Sequence, residues 1–370
     1  MRAQNLPPLN MSPPQSILVR GVNWLGDAVM TTPALLRLRQ ARPGARLTLL
    51  APEKLAGLWE GQPFVDEVLA FSPSETLWHV SRRLREKRFT TGVAFPNSLR
   101  AALELWLAGI PERIGAARPG RGFFLTKSVA PPPGAVMMRK RSPREIQRLL
   151  ARATPPPAIP AEAHHVYHYL HLAGALDAST EPLAPRLEVA EEQMDEVRRK
   201  FGLAREGGGP WFGLIPGAEY GPAKRWPPER FVAAAAALRQ KTQCRWVLFG
   251  GAGDCDLAGR IARDIPGAAL NLAGKTTLRE LAAALKICNL VLTNDTGPMH
   301  LAAAVGAPVV AVFGSTSPEL TGPLFSPRAQ IVRQPVPCAP CFRRQCPIDL
   351  RCLRGIPPES VVEAALRRGP

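Results

Sequence analysis

The chain has 370 residues, long for one core and comfortable for two domains, and its 46% hydrophobic share is that of a soluble globular protein. It holds no run of about 18 apolar residues, which excludes a membrane-spanning helix. A formal charge of +17 points to an anionic partner: nucleic acid, an anionic membrane or an acidic substrate.

The charge is uneven. Residues 1–175 hold 23 Lys and Arg against 11 Asp and Glu, and residues 176–370 hold 24 against 19. The start, MRAQNLPPLNMSPPQS, lacks the apolar core of a signal peptide. Residues 1–15 therefore read as a disordered leader, with Met11 a second candidate start, and a cytoplasmic protein is expected.

Residues 16–20 are strand-like, and residues 27–41 read as a helix stopped by Pro43 and Gly44. Strands follow at 47–50 and 65–71, a helix at 74–87 with Ser74 as its cap, a strand at 91–95 and an apolar helix at 97–108. Residues 116–160 carry RPGRGFF, APPPGAVMMRKRSPR and ATPPPAIP and read as loop and linker. Two helices, 164–176 and 190–201, bridge to a second alternation. There strands are expected at 211–215, 245–249, 268–272, 289–293 and 308–313. Helices are expected at 229–241, 254–264, 278–288, 296–305 and 358–368. Alternating β and α elements in two halves predict an α/β protein with two Rossmann-like domains facing across a cleft. The domains are expected at 16–177 and 178–357, with a final helix in 358–370.

In a βα unit, ligands bind at the turn beyond the strand's carboxyl end. Four such turns carry polar or glycine-rich sequence. RGVNWLGDAVM (20–30) is no GxGxxG fingerprint, and no acid follows about 20 residues on, which disfavours a nicotinamide cofactor. Asp27 stands at its helix start, either as a charge worth about 0.3–1 kcal/mol on the helix dipole or as an acid facing the cleft. PGAEYGPAKRWP (216–227) sets Lys224 and Arg225 on a glycine- and proline-rich turn beside Trp226. Cations there suit a diphosphate, whereas Trp226 could simply pack. FGGAGD (249–254) is a weaker turn of the same kind. In TNDTGPMHLAAAVG (293–306), Asp295 or Thr296 can cap the helix, Pro298 fits its first turn, and Gly297 lets a ligand approach the backbone. The free N–H groups suit a phosphate, although a capped helix without a ligand would carry the same local chemistry.

Together these segments resemble the glycosyltransferase family of bacterial lipopolysaccharide ADP-heptose transferases, from residue 16 to about residue 366. The most specific pieces are NWLGDAVMTTPAL and NDTGPMHLAAAVGAPVVAVFGST. The first, with CAPCFRRQCP near the end, looks more like the branch that adds the second heptose than the branch that adds the first. The resemblance implies a GT-B fold, an ADP-heptose donor and an inverting transfer to the first heptose of the inner core on lipid A. The first domain would bind the acceptor and the second the ADP-sugar. Asp27 matches the family's general base and Lys224 its phosphate-binding lysine. Gly217, Thr296 and Gly297 would line the donor site. Asp295 would orient its turn or bind donor hydroxyls, and His300 would either reach the donor or pack. Asn23, Arg118 and Arg121 are expected on the acceptor side. Catalysis is expected to call for no cofactor and no metal.

The basic segment 118–127 and the run Arg139 to Arg144 suit the phosphates and carboxylates of lipid A and its sugars, and the anionic inner leaflet. Phe123, Phe124, Met137 and Met138 either touch acyl chains or belong to the core. A peripheral place on the inner face of the bacterial inner membrane is expected. Among seven cysteines, Cys244, Cys255 and Cys288 read as buried apolar residues. Cys338, Cys341, Cys346 and Cys352 cluster, and the first pair has metal-ligand spacing, so a structural zinc stands against free thiols. Where relatives often place Gly-His after the third Cys-Pro, this chain has Ile348, Asp349 and Leu350. Rival functions are another nucleotide-sugar transferase or an epimerase on the same scaffold. A nucleic-acid-binding protein is disfavoured, because no helix-turn-helix, RNP or finger pattern occurs.

Overall fold

The computed structural model describes residues 15–152, 158–204 and 208–367. Most of the expected leader, all but Ala158–Pro160 of ATPPPAIP, and Arg368–Pro370 of the expected final helix lie outside them. Two six-stranded sheets, both wholly parallel, carry the fold. The first contains β1 (Ser16–Arg20), β2 (Arg46–Pro52), β3 (Glu67–Phe71), β4 (Thr91–Ala94), β5 (Glu112–Ala116) and β6 (Lys127–Val129), in the order β3-β2-β1-β4-β5-β6. The second contains β7 (Trp211–Ile215), β8 (Arg245–Leu248), β9 (Ala269–Asn271), β10 (Leu290–Asn294), β11 (Val309–Phe313) and β12 (Ala329–Arg333), in the order β12-β11-β10-β7-β8-β9. Each sheet starts at its middle, runs outward on one side and returns to the other. The direction reverses between β1 and β4 in one lobe and between β7 and β10 in the other. A crevice opens at such a switch point, beyond the strands' carboxyl ends.

Several elements differ from the sequence expectation for local reasons. The helix expected at 27–41 is two helices, Leu25–Met30 and Thr32–Ala41, broken at Thr31 ahead of Pro33, where the Thr31 hydroxyl donates to the Ala28 carbonyl at 2.6 Å. Thr76, not Ser74, caps the next helix (Leu77–Glu86), its hydroxyl accepting from the His79 N–H at 3.3 Å. Residues 116–160 are not merely linker: they supply β6 and a helix, Pro143–Arg152. β5 and β12, both at the outer half of a sheet, were not expected from sequence at all.

The helices His165–Gly174 and Glu191–Phe201 pack on opposite lobes, the first against Thr32–Ala41 and the second against Leu278–Ile287. His164 ties the lobes together. Its Nδ1 accepts from the Val166 N–H at 3.2 Å, so its Nε2 carries the proton and donates to the Gly322 carbonyl at 2.8 Å. Burial pushes its pKa down to about 4 and keeps the ring neutral.

The tightest meeting of the lobes is helix on helix, Leu25–Met30 against Gly297–Ala304. A Cβ on Gly297 would stand 2.8 Å from the Leu25 Cβ, and one on Gly26 would stand 2.8 Å from the His300 Cδ2. The missing side chains let the two helix starts touch. Val29, Met30, Met299 and Leu301 then join one apolar core that runs through both lobes. Gly297→Ala forces the Leu25 backbone to shift. It is expected to cost about 1–3 kcal/mol of stability, read as a lowered denaturant midpoint.

Candidate active site

The helix contact brings the ends of β1 and β10 to one crevice. On the first lobe, a buried ion pair fixes the turn after β1. Arg20, at the strand's last position, pairs through Nε with Glu104 at 2.8 Å, and neither side chain is exposed. Arg100 adds a second cation to the same carboxylate at 2.8 Å. Arg20 also donates through Nη1 to the Asn23 Oδ1 at 3.0 Å, setting that side chain at the rim of a cavity of about 370 Å³. Asn23, Asp27, Arg118, Met137, His165 and Tyr169 are among its lining residues.

Asp27 lies in the first turn of Leu25–Met30 and is half-buried. Tyr169 donates its hydroxyl to the Asp27 Oδ1 at 3.2 Å, and the His165 Nδ1 stands 3.6 Å from the same oxygen. No hydrogen bond from the described residues reaches Oδ2. Burial, the largest single influence, pushes the Asp27 pKa up. The combined pull of His165, His300 and the Tyr169 hydroxyl outweighs it, leaving the carboxyl below its ordinary value and ionised at neutral pH. The Tyr169 phenol is driven the other way by burial and by Asp27, so it remains a proton donor.

On the second lobe, Asn294 staples two segments to the end of β10. Its Oδ1 accepts from the Trp226 N–H at 2.9 Å and its Nδ2 donates to the Pro216 carbonyl at 2.7 Å. Trp226 is buried and bonded through Nε1 to the Ile356 carbonyl at 3.2 Å, so it packs. The loop between them delivers Lys224, whose Nζ pairs with the Asp295 Oδ2 at 2.6 Å and lies 5.2 Å from the Tyr220 ring centre. Neither Asp295 nor Thr296 caps the following helix with its side chain. Asp295 is held instead by Lys224 and the Thr316 hydroxyl. The N–H groups of Thr296 and Gly297 meet no acceptor among the described residues, and free N–H groups at a helix start suit an anion.

His300 is buried between the two lobes. Burial lowers its pKa to about 4, against the upward pull of Asp295 and Asp27, so the ring is neutral within reach of both acids. Gly217 has a different role from the one expected. The place of its missing side chain is taken by the Asp254 carboxylate, whose Oδ1 lies 2.4 Å from where a Cβ would sit. Likewise the space beside Gly297 is filled by Leu25 rather than left for a ligand. Arg121 does not line the cavity. It is 1% exposed, lies behind the wall and donates through Nη1 to the Pro96 carbonyl at 2.9 Å. Arg118 is exposed at the rim.

The sequence reading missed His165 and Tyr169, which no local motif marks, and Asp254, whose FGGAGD turn was quoted without a role. The four clustered cysteines all line one small cavity of about 20 Å³ with Ile146 and Leu350. Among the described residues, no group of three or more His, Cys, Asp or Glu side chains is arranged to hold a metal ion. The geometry therefore gives the zinc alternative no support, and the four cysteines are free thiols.

Comparison with known proteins settles the family. The profile described as "Glycosyltransferase family 9 (heptosyltransferase)" matches residues 138–351. The chain belongs to glycosyltransferase family 9, the heptosyltransferases. It is 33% identical to lipopolysaccharide heptosyltransferase 2 of Escherichia coli K12, over 86% of this chain and 87% of that protein. It is also 33% identical to lipooligosaccharide heptosyltransferase 2 of a Campylobacter jejuni strain, over 94% and 97%. The solved ADP-heptose LPS heptosyltransferase II of E. coli superposes with a TM-score of 0.75 at 29% identity, covering 95% of this chain and 97% of that one. The two-lobed α/β architecture is thus the GT-B fold of a heptosyltransferase, and the protein is a glycosyltransferase.

Lys224 is the cation paired with the buried Asp295 carboxylate, and its removal strands that acid. Lys224→Ala is expected to cost up to about 3–5 kcal/mol of stability beyond any loss of ligand binding. The double variant with Asp295→Asn should recover much of that cost in denaturant unfolding.

Proposed function

We propose that this heptosyltransferase moves a heptose, with inversion, from ADP-heptose to the first heptose of the lipopolysaccharide inner core on lipid A. The observation that carries the reading is the placement of Asp27. Its unshared Oδ2 belongs to a side chain lining the first-lobe cavity, and the anion-binding end of Lys224, Thr296 and Gly297 lies across the lobe contact. The acceptor hydroxyl, bound among Asn23 and Arg118, gives its proton to Asp27. Its oxygen bonds to the anomeric carbon as the bond from that carbon to the diphosphate oxygen breaks on the opposite face. General-base help of this kind is worth about 10²–10⁴ in rate. The leaving ADP carries its growing charge to Lys224 and the two N–H groups, each such donor supplying about 3 kcal/mol. The relatives' names support ADP-heptose as donor and lipopolysaccharide as the acceptor class.

The same reading accounts for the face around the acceptor cavity. Phe123 is 82% exposed and Met137 72% exposed, and Trp106, Phe124 and Phe123 form an edge-to-face chain. Arg118 stands exposed in the same stretch of chain, and the Arg139–Arg144 run begins just past Met137. We infer that this face rests on an anionic bilayer on the cytoplasmic side, with the lipid A acceptor entering from it. No helix among the described residues is long and apolar enough to cross a membrane.

Incubation with ADP-heptose and a truncated core acceptor, followed by mass spectrometry, should show one added heptose. Asp27→Asn should keep ADP affinity and lose turnover by about 10²–10⁴; a variant within a few-fold of wild type would end the base assignment. Phe123→Glu should weaken co-sedimentation with anionic vesicles about tenfold or more while leaving transfer to a water-soluble acceptor unchanged.

A further inference from the structure

The base proposed above does not stand alone. Two side chains from one turn of the His165–Gly174 helix converge on it, and both use the same oxygen. Tyr169 donates to the Asp27 Oδ1 at 3.2 Å, and the His165 Nδ1 is 3.6 Å from that atom. His165 is also part of the cavity wall that the acceptor would face. Its ring is partly exposed, with 24% of the side chain accessible, so it is not a core histidine. The gap of 3.6 Å is too long for a hydrogen bond, and catalytic contacts of this kind often shorten once substrate is bound.

We propose that His165 is a positioning residue for the glycosyl transfer: with Tyr169 it pins Oδ1 of Asp27 and so presents the unshared Oδ2 to the acceptor hydroxyl as a carboxylate. This rests on the reading of Asp27 as the base. During transfer the hydroxyl proton moves to Oδ2 while the acceptor oxygen bonds to the sugar carbon and ADP leaves. The resulting carboxyl then gives its proton to water in the open cavity. Proximity of the imidazole favours that return, because the carboxylate regains its partner.

The surroundings of Asp27 leave this task to His165. From the helix Gly297–Ala304 only His300 faces it, and His300 is buried and neutral at neutral pH. From His165–Gly174 come His165 and Tyr169, and Tyr169 carries no positive charge. The cations of the neighbouring Thr32–Ala41 helix are engaged elsewhere: Arg39 with Asp66, and Arg37 with the Glu181 carbonyl and Gln40. His165 is itself flanked by His164 and His168, both held near 4 by burial. Removing His165 leaves burial, which pushes the Asp27 pKa up, opposed only by Tyr169 and His300.

The test is the pH dependence of kcat. In the wild type, kcat should hold level from about pH 8 down to about pH 5.5. His165→Ala should move the acid limb of kcat to higher pH than in the wild type, with about a tenfold fall for each pH unit below its midpoint and near-recovery at high pH. His165→Asn, which returns an N–H near the Nδ1 position, should move the limb back part of the way. Folding of each variant is checked by circular dichroism at each pH. An equal loss at every pH, or no loss, in both variants would overturn the role of His165. If Asp27→Asn remains active, the base reading itself fails; if Asp27→Asn is inactive and the limb does not move, only the present inference fails.

Discussion

The site depends on one close approach. Two helices from different lobes touch at their first turns because Gly26 and Gly297 have no side chains there. That contact sets the distance between the Asp27 carboxylate on one lobe and Lys224 with the free N–H groups of Thr296 and Gly297 on the other. Bound substrates would have to span that distance, so a small error in it would cost rate steeply. The apolar core is continuous through the contact, which makes the arrangement a packed interface and not two lobes joined by a tether. The His164 to Gly322 hydrogen bond adds a polar tie beside it.

Around this contact, buried charges do the positioning. Glu104 is wholly enclosed yet carries two arginines, and one of them, Arg20, passes its remaining donors to the turn that holds Asn23. Asp295 is similarly enclosed and answers Lys224 and Thr316. Such pairs contribute little net stability compared with apolar replacements, since desolvation offsets the attraction. What they supply is direction: an ion pair at the end of a strand fixes where the next turn goes.

Much of this was legible in the sequence. The strand-turn-helix pattern at residues 16–30 and 289–305 located both halves of the crevice, because short β-branched runs, glycine turns and alanine-rich helices each have a distinct local signature. The resemblance then gave roles to Asp27 and Lys224, and the fold sets the two side chains on opposite lobes. What could not be read lay in contacts far apart along the chain. Tyr169 reaches Asp27 across 142 positions, and nothing near Tyr169 marks it as other than a helix residue. Arg121 differed in another way: expected on the acceptor side, it lies buried against Gly115 and donates to the Pro96 carbonyl. The Pro143–Arg152 helix was masked by the proline- and arginine-rich run before it.

The two sheets share one strand order, and this has an electrostatic result. Each lobe sends the amino end of a helix from its central strand toward the same gap, so aligned peptide dipoles from both sides render that space attractive to anions before any side chain is counted. Because the peptide groups themselves carry this bias, removing any one charged side chain leaves it in place.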